Sequence, residues 1–154
     1  MKKQSKIIES FIKEILRKLT IDGEIEVLED EDTFQFIIKT KEAGILIGEN
    51  GQHLTALSHI VKKIIDQEFK KENLEKISFF LDVNDYQTKR TEELKNIARM
   101  TAQRVRYFKK EIPLDPMNAY ERKIIHSALT EYPDITTESF GEEPNRRIMI
   151  KPYL

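Results

Sequence analysis

The sequence predicts an α+β protein built from two small units. Three observations carry that expectation. Apolar residues recurring every three or four positions mark helices in both halves of the chain. Short runs alternating every second position stand between them as strands. A glycine-framed stretch, Gly44-Ile45-Leu46-Ile47-Gly48-Glu49-Asn50-Gly51-Gln52-His53-Leu54, joins a short helix to a long one. A chain of 154 residues has room for one domain or two small ones.

The first segment shows Ile8, Phe11, Ile12, Ile15, Leu16 and Leu19 on one helical face, ended by Asp22-Gly23. Glu24 to Glu29 alternates, with Ile25 and Val27 against glutamates, and Thr33 to Lys39 alternates again through Phe34, Phe36 and Ile38. The acidic Glu29-Asp30-Glu31-Asp32 between them reads as a hairpin turn. Past the glycine turn, Leu54, Leu57, Val61, Ile64, Ile65 and Phe69 form the stripe of a long amphipathic helix. Lys70 to Asn73 is a polar break, and Ile77 to Val83 is a strand rich in β-formers.

Asn84-Asp85 is placed to cap the next helix. That helix runs from Tyr86 to Lys110 on Leu94, Ile97, Ala98, Thr101, Val105 and Phe108, with Arg99, Gln103, Arg106 and Lys110 along another face. Glu111 to Asp115 is a short edge strand that tolerates Pro113. Asp115 to Asn118 opens a helix carrying Tyr120, Ile124, Ile125, Ala128 and Leu129, with Arg122 and His126 one turn apart on another face. Pro133 follows it. Ile135 to Ser139 is a polar strand, Phe140 to Asn145 a turn, and Arg146 to Lys151 the last strand.

Composition narrows the function. Charged residues are 34% and hydrophobic residues 39%, a globular composition. Cysteine is absent, which excludes disulfides and thiolate metal sites. No apolar run approaches the about 20 residues of a membrane span. The basic start of the chain has no apolar core or cleavage site behind it. A cytoplasmic protein without membrane insertion is expected. His53, His59 and His126 show no metal-ligand spacing, and no phosphate-binding P-loop or nucleophile–base motif is present, so neither an enzyme nor a cofactor is expected. The 26 basic and 27 acidic residues divide unevenly: 13 to 16 in residues 1–84, and 13 to 11 in residues 85–154.

At Gly48 and Gly51 the missing side chains would let another backbone come close. The long helix turns its free N–H groups and positive dipole end to the same place, which suits a phosphate. A lone G-x-x-G also serves as a plain turn between helices. The order helix, strand, strand, short helix, G-x-x-G, long helix, strand adds the context. Residues 1–84 thereby resemble a KH domain of the bacterial, type II arrangement (α-β-β-α-α-β). Such domains hold about four nucleotides with the loop on the backbone. The two loop positions of nucleic-acid-binding members usually include Lys or Arg; here they are Glu49 and Asn50.

Met117-Asn118-Ala119-Tyr120-Glu121-Arg122-Lys123-Ile124-Ile125-His126, followed by Ser139-Phe140-Gly141-Glu142-Glu143-Pro144-Asn145-Arg146-Arg147, is similar to the R-3-H domain, named for an Arg and a His three residues apart. The resemblance implies a three-stranded sheet with two helices over residues 85–154. A KH domain directly followed by an R-3-H domain resembles the Jag family of bacterial RNA-binding proteins. Its members usually begin with a further small domain and an acidic linker, which this sequence does not carry.

The resemblance implies single-stranded RNA, or single-stranded DNA, as partner. The expected contacts are Gly48, Glu49, Asn50 and Gly51 in the first unit, and Arg122, His126, Arg146, Arg147, Arg99 and Arg106 in the second. Arg122 and His126 are read as exposed, so their removal is expected to leave stability within about 0.5 kcal/mol. The alternative is an interaction module whose KH domain pairs with itself or with a small separate KH protein. The acidic Glu49 is compatible with it.

Overall fold

A computed structural model describes residues 2–153. The chain divides into two compact units, one ending at Gln87 and the other beginning at Thr88. In the first, α1 (Lys2–Lys18) leads to a hairpin of β1 (Gly23–Asp30) and β2 (Thr33–Thr40). Next come α2 (Ala43–Ile47), a 3-10 turn (Glu49–Gly51), α3 (Gln52–Lys71) and β3 (Ser78–Val83). The sheet order is β1-β2-β3, with β1 antiparallel and β3 parallel to the central β2. The parallel pairing needs a long crossover, and the α2–α3 segment supplies it.

Helix α1 buries Ile8, Ile12 and Leu16, four residues apart, and α3 buries Leu54, Val61, Ile65 and Phe69. These meet Phe34, Phe36 and Ile38 of β2 and Phe79, Leu81 and Val83 of β3 in one core. Strand β1 contributes less than its alternation predicts. Ile25 is only partly buried and Val27 is exposed, because β1 is an edge strand. The acidic turn is also shorter than expected: Glu29 and Asp30 belong to β1, and Asp30 pairs with Thr33 across a turn of Glu31 and Asp32.

The cap expected from Asn84-Asp85 is made by Asp82 instead. Both Asn84 (φ 49°) and Asp85 (φ 61°) are left-handed. Their side chains turn to β2: Asn84 bonds the Thr40 backbone at both N–H and carbonyl, and Asp85 pairs with Lys39 at 3.0 Å. The buried Asp82 Oδ1 accepts the Gln87 N–H at 3.0 Å at the start of α4 (Tyr86–Phe108). The Asp85 carboxylate holds the Lys39 ammonium above its usual range.

The second unit holds α4 from Thr88 on, β4 (Ile112–Pro113), α5 (Ala119–Leu129), β5 (Ile135–Phe140) and β6 (Arg147–Pro152). Its sheet order is β4-β6-β5, antiparallel throughout, so β6 is central and β5 is an edge. Leu94, Ala98, Ala102 and Val105 of α4, Ile125 and Leu129 of α5, and Ile148 and Ile150 of β6 form its core. Among the described residues, no helix is long and apolar enough to cross a membrane.

Candidate nucleic-acid interface

The G-x-x-G turn is built on left-handed backbone. Gly48 lies at φ 70°, ψ −178°, a region open essentially only to glycine. Asn50 (φ 53°) and Gly51 (φ 76°) follow. The space that each glycine leaves is occupied by an aromatic ring of this chain. A Cβ on Gly48 would stand 2.4 Å from Cγ of His53, and one on Gly51 would stand 3.1 Å from Cε1 of Tyr86. This corrects the expectation that the missing side chains admit a foreign backbone there. His53 Nδ1 lies 2.7 Å from the Ile45 carbonyl oxygen and so ties α3 back to α2. Glu49 and Asn50 form the exposed rim, and the N-cap position of α3 is Gly51, which has no side chain to cap the helix. Periodicity gives no signal for His53, since its role exists only once the chain has turned.

In the second unit, α5 starts with a capping box. Asn118 accepts the Glu121 N–H at 2.9 Å, and Glu121 accepts the Asn118 N–H at 3.3 Å. The other Glu121 oxygen takes Arg90 Nε at 2.8 Å, which ties α4 to α5. Arg122 is buried, with 9% exposure, contrary to the reading of it as a surface charge. Its Nη1 donates to the Met117 carbonyl at 2.5 Å and its Nη2 to Glu143 Oε1 at 2.6 Å. The helix face it shares with His126 turns toward the rim of the sheet, so the residue nearer the loop is covered and His126 stays exposed.

Three of the expected residues come together along β5. His126 Nδ1 bonds the Thr137 hydroxyl. Arg146 donates from Nε to the Ser139 hydroxyl and from Nη1 to the Gly141 carbonyl, each at 2.9 Å. Arg122 reaches Glu143 in the following turn. The sequence reading named these basic residues but not Thr137 and Ser139, which orient them. The two hydroxyls are two apart on one strand, hence on one face.

The other arginines are not part of this row. Arg147 pairs opposite Phe140 in the register, while Arg146 bonds Ser139, whose register partner is the buried Ile148. Arg146 stands just before β6 and also reaches the Gly141 carbonyl, whereas Arg147, the first residue of β6, donates to the Asn145 carbonyl, so the two arginines part. Arg99 is exposed and bonds within its own helix, to the Lys95 carbonyl and Asn96. Arg106 grips Asp134 with two bonds of 2.6 and 2.8 Å and lies 4.7 Å from the Tyr132 ring centre. The Arg106 guanidinium holds the Asp134 carboxyl below its usual range.

The first unit thus presents a glycine-framed turn opening onto a long helix, and the second an Arg–His helix against a small sheet. Together they define a two-module binding architecture. Residues 6–85 match the KH domain family and residues 92–152 the R-3-H domain family, both non-enzymatic binding modules. The chain therefore belongs to the KH-domain family, with an R-3-H domain following in the order of the Jag family. It is 35% identical over 149 residues to an RNA-binding protein KhpB of Clostridium symbiosum, covering 96% of this chain and 65% of that protein. It is 32% identical over 145 residues to the KhpB of Bacillus subtilis, covering 91% and 66% respectively. Against the KhpB of Lactiplantibacillus plantarum the identity is 29% over 136 residues, covering 88% and 41%. The chain spans from about two-fifths to just under two-thirds of these relatives' length.

Proposed function

We propose that this chain binds single-stranded RNA, chiefly along the α5–β5 rim of the second unit and secondarily at the G-x-x-G turn. The observation that carries the proposal is the row of His126 and Arg146 on β5 hydroxyls, with Arg122 fixed beneath. An imidazole and a guanidinium held at an exposed rim are donors ready for phosphates. The relatives' description as RNA-binding proteins favours RNA over single-stranded DNA. Binding of this kind fits a post-transcriptional regulator in the cytoplasm.

Fluorescence anisotropy with a labelled single-stranded RNA, repeated across a salt series, tests the reading. Affinity must fall as salt rises, because phosphate contacts release counterions. His126→Ala and Arg146→Ala are each expected to weaken binding about tenfold or more, since a hydrogen bond to a charged group contributes about 1.5 to 3 kcal/mol. Each should also make the salt slope shallower, by about 0.7 per lost phosphate contact. Parent-like affinity in the double variant would defeat the proposal.

A second reading has one observation behind it: the exposed carboxylate of Glu49 at the rim of the G-x-x-G turn. It makes the KH unit a pairing surface for a second copy or for a small KH protein. Glu49→Lys separates the readings. If RNA meets the turn, this change raises affinity about fivefold, as exchange of repulsion for attraction near the surface is worth about 1 kcal/mol. If the unit only pairs with protein, RNA affinity stays at the parent value.

A further inference from the structure

The opposite side of α5 carries a feature outside the Arg122–His126 row. A cleft of about 320 Å³ lies between α4 and α5. That volume is at the small end of the about 300–1,000 Å³ usual for ligand sites. Ile124 and Ala128 line it as aliphatic surface, and Thr91 and Ser127 bring hydroxyls. The Tyr120 ring stands at its edge with 62% exposure, and Lys95 and Lys123 complete the lining. Lys95 meets Glu92 at 3.6 Å, whereas Lys123 forms no ion pair among the described residues.

We infer that this cleft is a subsite for one unstacked base of single-stranded RNA, stacked against Tyr120, with the adjoining phosphate on Lys123. The inference rests on the proposal that the chain binds RNA and assigns a further part of that site. Three features favour a nucleotide. An exposed aromatic ring is a platform for any base, since every base has a π-face. The hydroxyls of Thr91, Ser127 and Tyr120 can each give and accept hydrogen bonds with a base edge. The lysines supply the charge that a phosphate needs and that an apolar peptide side chain would leave unmatched. The helix also supplies a path. Lys123 stands three residues from both Tyr120 and His126, so it neighbours each on the helix surface. A strand leaving the rim at His126 passes Lys123 before reaching Tyr120.

The test uses the full chain and a single-stranded RNA decamer, with a second decamer in which the bases are replaced by abasic sites. Tyr120→Ala is expected to weaken binding of the normal decamer about tenfold, within the range found for base–aromatic stacking. Tyr120→Phe should bind as the parent does, because the ring remains. With the abasic decamer, Tyr120→Ala and the parent should bind alike. Lys123→Gln should weaken binding of both decamers. On titration with the normal decamer, amide NMR signals of Thr91, Lys95 and Ser127 should shift. Parent-like affinity of Tyr120→Ala for the normal decamer, while His126→Ala has lost affinity, overturns the subsite alone. Failure of the parent to bind either decamer overturns both this inference and the RNA-binding proposal. Cleft signals that shift with an apolar peptide and not with RNA would assign the cleft to a protein partner and overturn the inference.

Discussion

Arg122→Ala is expected to lower the melting temperature of the second unit by about 8 °C or more. The guanidinium is buried and bonded at 2.5 Å to the Met117 carbonyl and at 2.6 Å to Glu143. The two bonds differ in weight. The Glu143 side chain is 59% exposed, so that ion pair contributes at most about 1 kcal/mol. The Met117 carbonyl loses a buried donor, which costs about 1–3 kcal/mol. Loss of the packed aliphatic stem adds to it. A total of about 2–4 kcal/mol follows, and in a domain of this size each kcal/mol moves Tm by about 4–8 °C. Glu143→Ala should therefore change Tm much less than Arg122→Ala. Arg122→Lys should fall between parent and alanine, since an ammonium keeps the charge but not the fork that spans two acceptors. Melting followed by circular dichroism decides the matter. A shift under about 2 °C for Arg122→Ala would show that the carbonyl is satisfied without it. Weakened RNA binding by an Arg122 variant counts as contact evidence only after its folding has been measured.

Gly48→Ala should destabilise the first unit by about 3 kcal/mol, and Gly51→Asn by about 1 kcal/mol at most. Two causes act at Gly48. Its backbone lies in a region where a side chain is strained by about 1–3 kcal/mol. A Cβ there would also sit 2.4 Å from the His53 ring and push it off the Ile45 carbonyl. Gly51 is ordinary left-handed backbone, which asparagine adopts at modest cost, and its Cβ would approach the Tyr86 ring at 3.1 Å. The double variant Gly48→Ala/His53→Ala relieves the clash but not the backbone strain. It should recover part of the loss relative to Gly48→Ala with His53→Ala as the reference. Chemical denaturation measures all four. Equal costs at the two glycines would mean that the turn relaxes and that the His53 ring does not hold it.

The elements were legible because their signals are local. The four-residue spacing of Ile8, Ile12 and Leu16, the alternation of Phe34, Phe36 and Ile38, and the run from Phe79 to Val83 each report a backbone period. The glycine turn and the Arg122–His126 spacing were legible for the same reason. Less clear were ends and faces. The hairpin turn shortened because strand pairing extends until the ladder runs out of partners, and charge alone does not stop it. The cap of α4 moved from Asn84-Asp85 to Asp82, since these two left-handed residues send their side chains to β2.

By itself, then, the sequence determined which stretches form helices and strands, that the chain holds two α+β units, and which families it resembles. Only the tertiary structure decided how each polar side chain is used. Arg122 and His126 share a helix face in one dimension, but packing against β5 and the Glu143 turn buries the first and leaves the second exposed. Arg146 and Arg147 are neighbours in the chain, yet the first, just before β6, bonds Ser139 and Gly141 while the second bonds the Asn145 carbonyl. Periodicity sets where a side chain points on its own element. Burial and hydrogen-bond partners depend on what other elements bring to that point, and those elements come from residues distant in the chain.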